Sequence, residues 1–178
     1  VAVVTALAGS GYLLFQGKGQ GTNRPDVPLV TTCSPGPNCF ISSERTRFPT
    51  YGNVAPSTLS DCTFAAAADL VILFTGRVPN AAEVGYAYAK AGGGNRGLSV
   101  KQLVRYWSTH SLGGATLASW TPTRHTKPAV QEEIRRNRAL FTVLHFSQGM
   151  KFGPFIVDAG NHAAVVNGFT PEGPLIVT

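Results

Sequence analysis

A thiol and an imidazole one hundred residues apart are the groups in this chain best suited to covalent chemistry. Cys62 opens the apolar run Cys62-Thr63-Phe64-Ala65-Ala66-Ala67-Ala68-Asp69, which follows a polar, turn-rich stretch. The run predicts a helix over 62–74, stopped by Gly76, with Ser60 or Asp61 as its cap. A cysteine in a first helical turn lies beside unpaired backbone N–H groups and the positive end of the helix dipole. Both favour thiolate over thiol. His162 lies in Gly160-Asn161-His162-Ala163-Ala164-Val165-Val166-Asn167-Gly168-Phe169, at the opening of a β-rich run. An imidazole there can take a proton from a thiol and later give it to a leaving group. The pair is the chemistry of a cysteine nucleophile with a histidine base. Taken singly, each residue also has a plain structural reading, a buried inert thiol and a strand-end histidine.

The elements that must position the pair follow from periodicity and punctuation. Helices are expected over 81–91, after Pro79-Asn80, and over 99–110, where Leu103, Tyr106 and Trp107 recur at helical spacing as core residues. His110 falls at the end of that helix, where a positive side chain suits the dipole. A short strand over 115–120 and an exposed helix over 129–138 come next. Strands are expected over 140–146, with His145 as a core or sheet-surface residue, over 162–169, and over 174–178 after the turn Thr170-Pro171-Glu172-Gly173. A nucleophile helix, further helices and then an antiparallel sheet make an α+β organisation, not an alternating βαβ one.

Composition narrows the function classes. The 178 residues suffice for one domain, and 43% hydrophobic with 13% charged residues describes a globular chain. The net charge, 15 − 9 = +6, permits an anionic partner and selects none. The basic residues clustered in 124–138 carry no interleaved aromatics and no base-reading motif, so they read as a solvated helix face and no specific nucleic acid is expected. Phosphate loops, dinucleotide fingerprints and metal-ligand clusters are absent from the sequence; no cofactor and no metal is expected.

Residues 1–15 are uncharged and mostly apolar, shorter than the roughly 20 residues that span a bilayer. Polar GKGQGTNRPDVP follows, so 1–25 is read as the end of a signal sequence or membrane anchor with a linker, and 26–178 as the domain. The alternative for 1–15 is an ordinary first strand or helix. Cys33 and Cys39 flank a Pro-Gly-Pro-Asn turn, and pairing them in a disulfide leaves Cys62 as the odd thiol. A disulfide agrees with a secreted or membrane-anchored, extracytoplasmic location. The chain begins without Met and stops inside an expected strand, so the C-terminal end is expected to be truncated.

Three segments then carry a resemblance. GNVAPSTLSDCTFAAAADLVILFTG, RGLSVKQLVRYWSTHSLGG and GNHAAVVNGFTPEGPLIVT occur in an order and spacing similar to those of papain-like cysteine peptidases. The likeness is to their small bacterial and phage branch, which includes the leader-cleaving bacteriocin-processing peptidases, and it covers about residues 50–178. It implies a papain-like fold, with Cys62 as nucleophile, His162 as base and acid, and a thioester acyl-enzyme that water hydrolyses. The implied substrate is a peptide, a protein or a cell-wall peptide crosslink. Cell-wall amidases with the same Cys-then-His order fit less well, because a long helical insert separates the two here. An acyl transferase would use the same thioester.

Two positions depart from the family pattern. Pro56 stands six residues before Cys62, where the family has Gln or Asn, and Asn53 is the nearest amide for the oxyanion hole. Thr178 stands where the family places the Asn or Asp that orients the histidine, with Asp158 and Asn161 as alternatives. Asp61 is read as a cap. These departures define the competing expectation, a catalytically impaired papain-like domain acting as a binding or structural module. A third reading is a polyanion binder using the basic 124–138 region.

Overall fold

The computed structural model describes residues 11–16, 29–33, 39–43, 61–95, 97–122, 126–136, 138–148, 150–152, 155–157, 160–171 and 174–177. These form four helices and nine strands, a mixed α+β fold. The helices are α1 (Cys62–Thr75), α2 (Ala81–Lys90), α3 (Val100–Trp107) and α4 (Lys127–Arg135). The strands are β1 (Gly11–Gln16), β2 (Leu29–Cys33), β3 (Cys39–Ser43), β4 (Thr116–Pro122), β5 (Leu140–Phe146), β6 (Met150–Phe152), β7 (Phe155–Val157), β8 (Gly160–Phe169) and β9 (Pro174–Val177).

Local chemistry accounts for most of these bounds. α1 ends at Gly76, whose φ of 67° is the left-handed turn that glycine adopts without strain. Asn80 caps α2 by accepting the Glu83 amide, and Ser99 with Gln102 forms a capping box at α3. Asp61 occupies the cap position of α1, but its side chain makes no capping hydrogen bond. Its carbonyl instead accepts from the amides of Phe64 and Ala65, the first bonds of the helix, and Ser60, the other expected cap, lies outside the described residues.

One large antiparallel sheet runs in the order β2-β3-β8-β5-β1-β4, with β9 also on β8, and β6 pairs β7 separately. β1 lies between β4 and β5, with Tyr12 opposite Leu140. Residues 11–15 of the segment assigned above to an anchor end, or to an ordinary first strand or helix, belong to β1 of this sheet. Residues 1–10 and the linker over 17–25 lie outside the described residues. Among the described residues no helix is long and apolar enough to cross a membrane.

α1 lies along β8 and is hydrophobic nearly all round, with Phe64, Ala67, Ala68, Leu70, Val71 and Leu73 essentially inaccessible. Small alanines let the helix approach the strand closely. The core it shares takes Phe141 and Val143 from β5 and Ala163 and Val165 from β8. Trp107 closes the core from α3, its indole N–H donating to the Ala115 carbonyl at 2.9 Å.

Candidate functional site

Strand alternation divides the β5–β8 pair into two faces. His162 pairs with Leu144 and Asn161 pairs with His145, so the two couples point to opposite sides. Phe141, Val143, Ala163 and Val165, which belong to the α1 core, share the face of His145 and Asn161. Leu144, Phe146 and Ala164 are buried yet stand apart from that core, on the face of His162. The two sides merge only at the far end, where Leu140 and Val166 join the α1 core.

The direction of α1 follows from its contacts. A Cβ on Gly113 would fall 2.5 Å from Val71 Cγ1, so the Gly113 turn abuts the second half of α1. That turn leads into β4, whose Thr116 lies opposite Gln16 of β1. Because β1 runs antiparallel to β5 with Tyr12 opposite Leu140, Gln16 and Thr116 lie beyond the Leu140 end of β5. α1 also touches β3, which among the described residues pairs with β8 at Gly168 and Phe169. Its C-terminal half therefore sits over the Leu140–Phe169 end. A 14-residue helix is on the order of 20 Å long, so its first turn is directed toward the end of the sheet that carries His145, Asn161 and His162.

Cys62 is half-buried at that first turn and carries a free thiol. The α1 ladder begins at Phe64, leaving the amides of Cys62 and Thr63 ahead of it as candidate oxyanion donors. A glycine-rich loop is stapled beside them. Thr63 donates its hydroxyl to the Leu98 carbonyl at 2.9 Å, and the Tyr88 hydroxyl donates to the carbonyl of Gly94. Burial raises the Tyr88 pKa, the Gly94 hydrogen bond opposes the rise by less, and the nearby Asp61 and Cys62 add to it. The phenol thus stays protonated and keeps donating. Gly93 presses on its ring, where a Cβ would collide.

The two imidazoles have different surroundings. His162 is half-buried, 6.4 Å from Phe146 between ring centroids, and burial lowers its pKa below the usual histidine value. Among the described residues it makes no hydrogen bond, and nothing there joins it to Cys62 by hydrogen bond or charge. His145 is exposed, and its Nδ1 lies 3.0 Å from Asn161 Oδ1. The structure thus places Asn161 against His145, although the sequence offered it as an orienter for His162. This pairing was missed because 140–146 and 160–169 were not set in register, which the antiparallel partner Phe146–Gly160 does.

Other expected site residues fall elsewhere. Cys33 and Cys39 are register partners across β2 and β3. Asn53, Pro56, Asp158 and Thr178 lie outside the described residues. His110 packs flat on Tyr106, with centroids 4.4 Å apart, in the structural role expected of it. Among the described residues no three His, Cys, Asp or Glu side chains gather where they could hold a metal ion. The basic stretch is largely engaged locally: Arg136 pairs with Glu132 at 2.9 Å, Arg138 with Glu133 at 3.2 Å, and Arg135 lies over the Phe169 ring.

The fold and site define an α+β chain with a free thiol at a helix N-terminus directed toward the imidazole-bearing end of a sheet. No family pattern, curated protein or solved structure matches the chain.

Proposed function

We propose that the protein is a cysteine hydrolase that cleaves a peptide or amide bond through a thioester on Cys62. The observation that carries this reading is the direction of α1, whose first turn, bearing the free thiol, is directed toward the end of β5 and β8 where the imidazoles lie. An imidazole takes the Sγ proton, and the thiolate attacks the carbonyl carbon. The tetrahedral oxyanion is met by the amide of Cys62, with Asn53 as the side-chain donor that the sequence pattern offers. Collapse breaks the C–N bond as the imidazolium returns its proton to the departing nitrogen. Water then opens the thioester, releasing the acid and restoring the thiol. The sequence resemblance assigns the base to His162, with Thr178 as its partner, and a peptide, protein or cell-wall crosslink as substrate. Burial of His162 keeps it neutral near pH 7, as a base must be. An exported setting with Cys33 and Cys39 joined in a disulfide belongs to the same reading.

The test uses p-nitrophenyl acetate as an acyl donor. Acetyl should appear on Cys62 in the mass spectrum, decay on standing, and be absent from Cys62→Ala. An acetyl group that never forms on Cys62, or forms and persists, would count against a hydrolase. One observation favours the second reading, a binding or structural module without turnover: His162 shares its sheet face with Phe146 and not with the α1 core.

A further inference from the structure

We infer that His145, with its ring held by Asn161, is the imidazole that serves Cys62. The inference rests on the hydrolase reading for its nucleophile and departs from it only in which histidine moves the proton. Three observations converge. His145 and Asn161 lie on the sheet face that α1 covers, whereas His162 lies on the other. Along that α1-side face, β5 opens steadily, from buried Phe141 through half-buried Val143 to exposed His145. β8 does the same, from buried Ala163 to exposed Asn161. The opposite face of β5 stays buried to its last residue, Phe146. The sheet therefore bares its floor on the α1 side at the end toward which Cys62 is directed, and the group standing on that floor is an imidazole.

Its hydrogen bond prepares that imidazole for proton transfer. With the Asn161 amide oxygen as acceptor, Nδ1 carries the proton and donates, so Nε2 holds the free lone pair. An amide acceptor also favours the imidazolium that forms when Nε2 takes the Sγ proton, because Nδ1–H remains its donor. Asn161 is a positioning residue and His145 the catalytic one. Among the described residues, the other titratable groups at this end are Asp61 at the N-cap of α1, Tyr88 on α2 and His162 on the reverse face of β8.

The experiment is alkylation of Cys62 by iodoacetamide as a function of pH, read by mass spectrometry of the Cys62 peptide. It compares the intact chain with His145→Ala, His145→Gln, His162→Ala, Asn161→Ala and Asn161→Asp. Labelling near pH 6 should fall by at least about tenfold in both His145 variants, more than in His162→Ala, because an imidazole neighbour is what sustains thiolate there. Asn161→Ala should cause a smaller fall and shift the pH profile, and Asn161→Asp should restore it. A larger loss in His162→Ala than in the His145 variants would overturn the inference and leave the hydrolase reading intact, with its base at His162. Equal labelling in every protein would mean that no imidazole serves Cys62, and both would fall.

Discussion

His145 and His162 occupy the same end of the same strand pair, and a single residue of register separates their fates. His162 is half-buried beside Phe146 and has its pKa lowered by that burial. His145 is exposed and tied to an amide 3.0 Å away. A strand of period two sends neighbours to opposite faces, so the sequence Asn161-His162 cannot place both residues on the α1 side. What distinguishes the two imidazoles is therefore the side of the sheet and the partner available there.

The comparison breaks most directly through the histidines themselves. If His145 moves the proton, His145→Ala should reduce turnover of an acyl donor by about 10²–10⁴-fold, the usual worth of general acid–base catalysis. A loss confined to His162→Ala would reverse the assignment. The next largest effect concerns the opposite end of β8. Cys39 of β3 is the register partner of Phe169, and Cys33 that of Cys39. A disulfide closing so short a loop should contribute about 2 kcal/mol by chain entropy, lost in Cys33→Ser and measured by urea unfolding. Cys33→Ser should leave the pH profile of Cys62 labelling in place, because Cys39 lies opposite Phe169, at the far end of β8.

Smaller still is the Asn161 bond. Its exposure puts Asn161→Ala at about 1 kcal/mol, a factor of roughly five in acylation rate, with a displaced pH optimum. An unshifted optimum would mean that the bond only packs the strand end. The least effect is the titration of His162. Its folded pKa lies below its unfolded value of 6.5, so the unfolded chain binds the proton first as pH falls. Stability from this group is complete above pH 6.5 and declines below it until the folded value is passed. Urea midpoints should therefore drop on moderate acidification in the parent chain and less so in His162→Phe. An equal drop in both would remove burial as the cause.

Sequence made the helical half of this molecule legible because its signals are local. Gly76, Asn80 and the Ser99–Gln102 box mark helix ends through contacts within a few residues. Strands β5, β8 and β9 were recognisable as β-rich runs. The strands at 29–33 and 39–43 were not recognised as sheet, and 11–16 was read only as the alternative of a first strand or helix, since β1 and β3 find partners in β4, β5 and β8 a hundred or more residues away. The site divides in the same way. A motif names His162 from its immediate neighbours, whereas the His145–Asn161 bond joins residues 16 apart in sequence and depends on the register between their strands.

The proposed chemistry requires that the fold activate Cys62. The most direct measurement is the iodoacetamide labelling rate of Cys62 near pH 6 in the folded chain, against the same thiol in the urea-unfolded chain, with Cys33 and Cys39 monitored in parallel. Cys62 should label faster when folded, because the helix terminus and the proposed neighbouring imidazole sustain the thiolate. Labelling that is equal or slower in the folded chain would contradict it and leave Cys62 an ordinary core thiol.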